Sequence, residues 1–219
     1  MTLPHRSVLD RELNELRDKT QQLASMVDNA LDKAMTALQT RNIALAQEVI
    51  ANDEHVNALR FDIEKECLRV LATQQPAARD LRLVVATTHI AGELERIGDH
   101  ACSIARVIEL LEVEQPISTL HKLPKMARRA RTMVESSINA FLAQDAEQAY
   151  ALAKREDKLD RNYDELFHET LLEMRDDEYI ERANYLLWIG RHLERVGDRS
   201  TNIAERVIFM LTGEFVEIA

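Results

Sequence analysis

The sequence predicts an all-α fold made of two tandem, duplicated antiparallel three-helix bundles. Three observations carry that expectation. Leu94-Glu95-Arg96-Ile97-Gly98-Asp99 returns as Leu193-Glu194-Arg195-Val196-Gly197-Asp198, and Ile104-Ala105 is answered by Ile203-Ala204 at the same spacing. A self-match with a period of about 100 residues marks a duplicated unit. Glycine and proline number only 5 and 4 in 219 residues, with 5% aromatics, which leaves little turn chemistry for a many-stranded sheet. Apolar residues recur at threes and fours through long stretches, the period of a helix with one buried face.

The first helix is expected over 7–40, where Leu9, Leu13, Leu16, Leu23, Val27, Ala30, Leu31, Ala34 and Leu38 mark one face and the pattern breaks near Thr20. The second is expected over 43–73, through Ala46, Val49, Ile50, Val56, Leu59, Ile63, Leu68 and Leu71. Gln74-Gln75-Pro76 ends it, because proline cannot continue a helix and turns the preceding residue away from helical angles. Pro76 then suits the first turn of a third helix over 76–111, with Asp80 near its positive end.

Glu112 to Leu120, with Pro116, separates the repeats and divides the chain into 1–114 and 115–219. Helices follow over 124–143, 146–174 and 179–211, with Asp176-Asp177 as a turn and Gly213 as a left-handed C-terminal cap. Short connections make sequential helices antiparallel neighbours. Trp188, among Leu186, Leu187 and Ile189, is expected to anchor the core. Cys67 and Cys102 form no spaced cluster and are expected as small core residues in a reducing compartment.

A net charge of −10 argues against a general nucleic-acid binder, which needs a basic footprint. No apolar run approaches the roughly 20 residues that span a bilayer. The N-terminus carries no apolar signal-peptide core, so a cytoplasmic location is expected. No glycine-rich phosphate loop, Gly-x-Ser-x-Gly frame or nucleophile–base set is legible, so no enzyme activity is expected.

The chemistry lies in the repeated Glu-x-x-x-Asp. Helical residues four apart share one face, so each repeat shows two carboxylates side by side, a like-charge pair that costs about 0.2–0.5 kcal/mol. With 38 acidic residues in 219, about six such spacings arise by chance, so one copy alone carries nothing. Arg96 and Arg195, three before each aspartate, would also explain the acids as ion-paired surface. The second copy in the same frame shifts the balance towards a bound cation. Gly98 pairs with Gly197 and Gly92 with Gly190, although glycine inside a helix costs about 1 kcal/mol relative to alanine. That suggests close approach of a second helix or an open surface above the acids.

Carboxylate sets suit hard, oxygen-preferring ions, whereas zinc usually takes His or Cys. His100 and His192 are turned off the acidic face by their spacing and are expected at the surface or an interface. Glu165-x-x-His168 is half of a di-iron motif without its partner. Lys122, Lys125, Arg128, Arg129 and Arg131 form one basic cluster, either a solvated helix start or a surface for an acidic partner or phosphate.

Gln75-Pro76-Ala77-Ala78-Arg79-Asp80-Leu81-Arg82 and the two Leu-Glu-Arg-Ile/Val-Gly-Asp motifs resemble the PhoU family, accessory regulators of the phosphate-specific transport system. The resemblance covers nearly the whole chain. It implies two tandem three-helix bundles and metal held by paired Glu/Asp-x-x-x-Asp motifs on facing helices, the ion being iron, manganese, magnesium or zinc. The implied first site is Asp28 and Asp32 with Glu95 and Asp99. The implied second is Glu194 and Asp198 with Glu135, and Asn139 stands where a fourth acid is expected. With one charge fewer, the second site is expected to bind more weakly. The resemblance also implies a homodimer that couples the phosphate transporter's ATPase subunit to a sensor histidine kinase and represses the phosphate-starvation response. Arg79, Asp80 and Arg82 are the implied partner-binding residues. The alternative is a ferritin-like carboxylate metalloenzyme.

Overall fold

The structure, a computed structural model, describes residues 4–111 and 120–218. The expected boundary at 114/115 lies outside the described residues. The first repeat is α1 (Pro4–Thr40), α2 (Ile43–Gln74) and α3 (Ala78–Leu110). The second is α4 (Leu123–Ala143), a short α5 (Ala146–Tyr150), α6 (Ala153–Glu173), a 3-10 turn (Asp177–Tyr179) and α7 (Ile180–Thr212). Among the described residues there is no strand, and no helix is long and apolar enough to cross a membrane.

Each repeat closes on its third helix. α3 packs on α1 and α2, and α7 packs on α4 and α6. α3 also lies against α7, and α1 against α4, so the two bundles share one continuous apolar core. Leu16, Leu23, Ile63, Ile90, Leu94, Ile97, Met126 and Phe141 are fully enclosed in it. Full burial of such a side chain contributes about 1.5–3 kcal/mol.

The helix ends follow local chemistry. Asn42 caps α2, its side chain accepting the Leu45 N–H at 3.0 Å. Asp145 caps α5 by accepting the N–H groups of Glu147 and Gln148. Gly213 ends α7 at φ 83°, the expected left-handed cap.

Five expectations change. Thr20 does not break α1, because its hydroxyl donates to the Leu16 carbonyl at 2.7 Å and the side chain is buried. Pro76 lies outside α3: Gln75 and Ala78 both take positive φ, so the chain reverses there and the helix starts at Ala78. The helix expected over 146–174 breaks at Ala151 and Leu152, where the Leu152 and Arg155 N–H groups make i→i−3 bonds that tighten the backbone and Leu152 enters the core. Trp188 is 47% exposed and meets Tyr185 edge to face, while Leu186 and Ile189 take the core positions. On α2, Leu68 likewise faces out, and Cys67 and Val70 occupy the buried stripe.

The glycines explain part of the packing. A Cβ on Gly98 would stand 3.2 Å from Val56 Cγ1 of α2, and one on Gly197 would stand 2.6 Å from Leu159 Cδ2 of α6. Close helix approach is therefore the reason for both. Gly92 and Gly190 are not equivalent: they sit one residue out of register, about 100° around the helix. Gly190 presses on Leu166, whereas Gly92 faces open space.

Candidate functional site

The glycines bring the motif acids against the second helix of each repeat. In the first, Glu95 and Asp99 on α3 face Asp53 on α2. The Glu95 carboxyl is raised by burial, then by the charges of Asp99 and Asp53, with Arg60 and Arg96 opposing. Asp99 is raised by burial and then by Asp53, with Arg106 opposing. One helical turn from Asp53 stands Asn57, whose amide donates to Asp53 Oδ2 at 3.0 Å. The Cys102 thiol donates to Asp53 Oδ1 at 3.4 Å, and burial followed by the Asp53 charge pushes its pKa up to about 12. Cys102 is thus a protonated core thiol, as its sequence context suggests.

In the second repeat, Glu194 and Asp198 on α7 face Glu156 and Asp160 on α6. Burial is the main cause raising the carboxyls of Glu156, Asp160 and Glu194, and the charge of Asp198 adds to all three. Thr201 donates to Glu156 at 2.8 Å and Arg191 pairs with Glu194. Four acids on two facing helices thus hold an unfavourable charge density in this seam. Arg96 does not relieve its own motif aspartate, because it pairs with Glu93 at 2.9 Å.

The ligand sets implied by the resemblance are not assembled. Asp28 and Asp32 lie on the α1 face towards α4, where Arg131 donates to Asp28 through Nε at 2.7 Å and Nη2 at 2.9 Å and also pairs with Asp32. Glu135 and Asn139 line the same groove of about 660 Å³, so the residues placed opposite two different motifs face each other instead. The cause is helical phase. The stripe Leu23, Val27, Leu31 and Ala34 turns inward, which points Asp28 and Asp32 sideways at α4. The missed residues are Asp53, Glu156 and Asp160. Glu156-x-x-x-Asp160 has the motif spacing and Asp53-x-x-x-Asn57 is its weaker counterpart. Both are hidden among chance acid spacings, since spacing does not tell which helix faces the motif.

The donor chemistry at the α6–α7 seam fits a hard cation: four carboxylate side chains, repelling each other, with Arg191 the one cation among the described residues bonded to the set. The α2–α3 seam offers three acids and an amide. As the side chains stand, no three His, Cys, Asp or Glu among the described residues gather closely enough to hold an ion. Binding therefore requires carboxylates to turn inward within their seam.

His100 and His192 meet across α3 and α7 with Nδ1 atoms 3.2 Å apart. Burial, then each other's proximity and two arginines, drives His100 down to about 4, so the pair is a neutral interface contact. Glu165 binds Lys122 at 3.3 Å, and His168 packs against Phe167. Arg79 bonds the Gln144 side chain and Arg82 Nε donates to the Met210 carbonyl at 3.1 Å, so both tie the start of α3 to the second repeat. Asp80 lines a hollow of about 280 Å³ beside Arg17 and Arg79.

A family model described as PhoU domain matches the chain twice, over residues 20–108 and 123–207. A relative from Clostridium acetobutylicum called phosphate-specific transport system accessory protein PhoU homolog is 31% identical over 215 residues, covering 97% of this chain and 98% of its own. A relative of the same description from Aquifex aeolicus is 36% identical over 210 residues, 95% of each chain. The crystal structure of PhoU from Pseudomonas aeruginosa matches with a TM-score of 0.87 at 34% identity, covering 94% of this chain and 99% of that one. The structure of the phosphate transport system regulatory protein PhoU from Streptococcus pneumoniae matches with a TM-score of 0.88 at 32% identity, covering 95% and 99%. The chain belongs to the PhoU domain family.

Proposed function

We propose that this chain is an accessory protein of a phosphate transport system, acting as a phosphate-responsive regulatory adaptor. The observation that carries the reading is the end-to-end match, in both repeats, to proteins described as phosphate-specific transport system accessory proteins. The adaptor meets the transporter's ATPase subunit and a sensor histidine kinase, works in the cytoplasm as a homodimer, and holds the starvation response off when phosphate is plentiful. A helical surface fits a role carried out by contact rather than turnover.

Divalent metal binding belongs to the same proposal, with its ligands reassigned. Glu156, Asp160, Glu194 and Asp198 would hold an ion at the α6–α7 seam, and Asp53, Glu95 and Asp99 a weaker one at the α2–α3 seam. The support is the facing acids, whose carboxyls are raised first by burial and then by mutual repulsion, both of which a cation would offset. The ion supplies positive charge that ties the second helix of each repeat to the third.

Deletion of the gene tests the regulatory reading. Phosphate uptake and alkaline-phosphatase expression are expected to rise in phosphate-rich medium, and expression that stays repressed rejects it. Light scattering tests assembly, and a monomer mass at micromolar concentration rejects the homodimer.

A further inference from the structure

The basic cluster of α4 is split by the fold. Arg131 is taken up by Asp28 and Asp32, and Lys122 by Glu165 and Glu169. The remaining members, Lys125, Arg128 and Arg129, meet Arg155 and Lys158 of α6 around a hollow of about 330 Å³, with Thr132 as the sixth wall residue. Among the described residues no carboxylate lines it. Five cations thus converge in a chain whose net charge is −10.

Two of the arginines are held in place without being neutralised. Arg129 Nη1 donates to the Lys158 carbonyl at 2.5 Å and to Asn162 Oδ1 at 2.6 Å, and Asn162 is itself only 2% exposed. Arg155 Nη1 donates to the Ser136 hydroxyl at 2.6 Å. Neutral acceptors fix both guanidinium groups while leaving their charge for a ligand, the preorganisation that anion recognition requires.

We propose that this α4–α6 hollow binds an oligophosphate, a small anion with two or more phosphoryl groups in tandem. Charge and size decide against a single phosphate. One phosphoryl group carries about −1.5 to −2 at neutral pH, too little for five cations. At about 30 Å³ for each water displaced, the open hollow has room for roughly ten heavy atoms, about twice a single phosphate, and a longer chain can extend out of its mouth. A nucleic acid strand would extend from the hollow over an acidic surface, which disfavours it. The site is separate from the carboxylate seams and does not depend on their metal.

Titration calorimetry on the full chain, stripped of metal and in metal-free buffer, tests the proposal. The probes are tripolyphosphate, ATP, orthophosphate, sulfate and a short single-stranded oligonucleotide. Tripolyphosphate is expected to bind more tightly than orthophosphate or sulfate, and less tightly as salt rises. Equal binding of ATP identifies a nucleotide's phosphate tail as a source; failure of ATP restricts the ligand to an inorganic chain, and both support the site. Arg129→Gln is expected to weaken tripolyphosphate about tenfold or more, as for loss of a charge-assisted hydrogen bond. Lys125→Gln, which keeps the Arg129–Asn162 contact, is expected to weaken it as well. Lys122→Gln, removing a cation already bound to two glutamates, is expected to leave affinity within about twofold. Absence of tripolyphosphate binding at low salt overturns the proposal. So does equal weakening by Lys122→Gln, orthophosphate affinity equal to that of tripolyphosphate, or tighter binding of the oligonucleotide.

Discussion

Asp160 on α6 faces Asp198 on α7, and the charge of Asp198 adds to the burial that raises the Asp160 carboxyl. That pair reverses the ranking of the two repeats. In the α6–α7 seam Glu156, Asp160, Glu194 and Asp198 supply four acids, whereas in the α2–α3 seam Asn57 stands where Asp160 stands in the other. Affinity in oxygen sites rises with ligand charge, so the second repeat is expected to hold a divalent ion more tightly. A site saturated a hundredfold over Kd adds about 2.7 kcal/mol to stability. Thermal melts of chelator-stripped protein with Mn²⁺, Fe²⁺ or Mg²⁺ are expected to show a rise that Asp198→Asn reduces more than Asp99→Asn. Equal reductions would sink the ranking. No rise in the unaltered protein with any ion would sink the metal reading.

The same carboxyls predict how stability depends on pH. Glu95, Asp99, Glu156, Asp160 and Glu194 all have folded values above their unfolded ones. The folded state then binds more protons than the unfolded state in the window between the two values, and stability falls as pH rises through it. Their destabilising effect is absent below the unfolded carboxylate range, about 3.9–4.3, and complete above the raised folded values. The lowered His100 and His192 act with the opposite sign, so the carboxyl contribution is read as a difference between proteins: Asp160→Asn is expected to gain melting temperature over the unaltered metal-free chain increasingly as pH rises through that window, and the rise given by a divalent ion is expected to grow with pH as protons leave its ligands. Melts across this range with and without Mn²⁺ check both. An Asp160→Asn variant whose gain over the unaltered chain shrinks as pH rises would contradict the first.

The duplication, helix content and most helix ends were legible because they rest on local chemistry: the repeated motif, the scarcity of glycine and proline, and Gly213 as a cap. The candidate site was half legible. Glu95, Asp99, Glu194 and Asp198 stand out through repetition. Their partners do not, because which helix faces a motif depends on phase and tilt. Asp28 and Asp32 have the required spacing, yet a turn of α1 of about 100° per residue decides that they meet Arg131 instead. Trp188 was misplaced for the same reason, since a run of apolar residues does not say which of them faces out.

The glycines separate packing from helix propensity most cleanly. Gly92 lies inside α3 with no atom within 4 Å of an added Cβ. Alanine there gains helix propensity and lowers the entropy of the unfolded chain, so Gly92→Ala is expected to stabilise by roughly 0.5–1 kcal/mol. Gly190 lies inside α7, and an added Cβ would stand 2.4 Å from Leu166 Cδ2 and 3.3 Å from Tyr163 Cδ2. Leu166 is fully enclosed among core residues, so turning it aside disturbs their packing. Overpacking costs about 1–3 kcal/mol, which exceeds the propensity gain of about 1 kcal/mol. Gly190→Ala is therefore expected to destabilise by about 1 kcal/mol. In a chain of this length 1 kcal/mol moves the melting temperature by about 2–4 °C, so the two variants are expected to shift in opposite directions by measurable amounts. Urea midpoints at unchanged slope provide the second reading. If Gly190→Ala melted higher, as Gly92→Ala is expected to, α6 would have moved away from α7. The close approach that sets Glu156 and Asp160 against Glu194 and Asp198 would then not be what Gly190 secures.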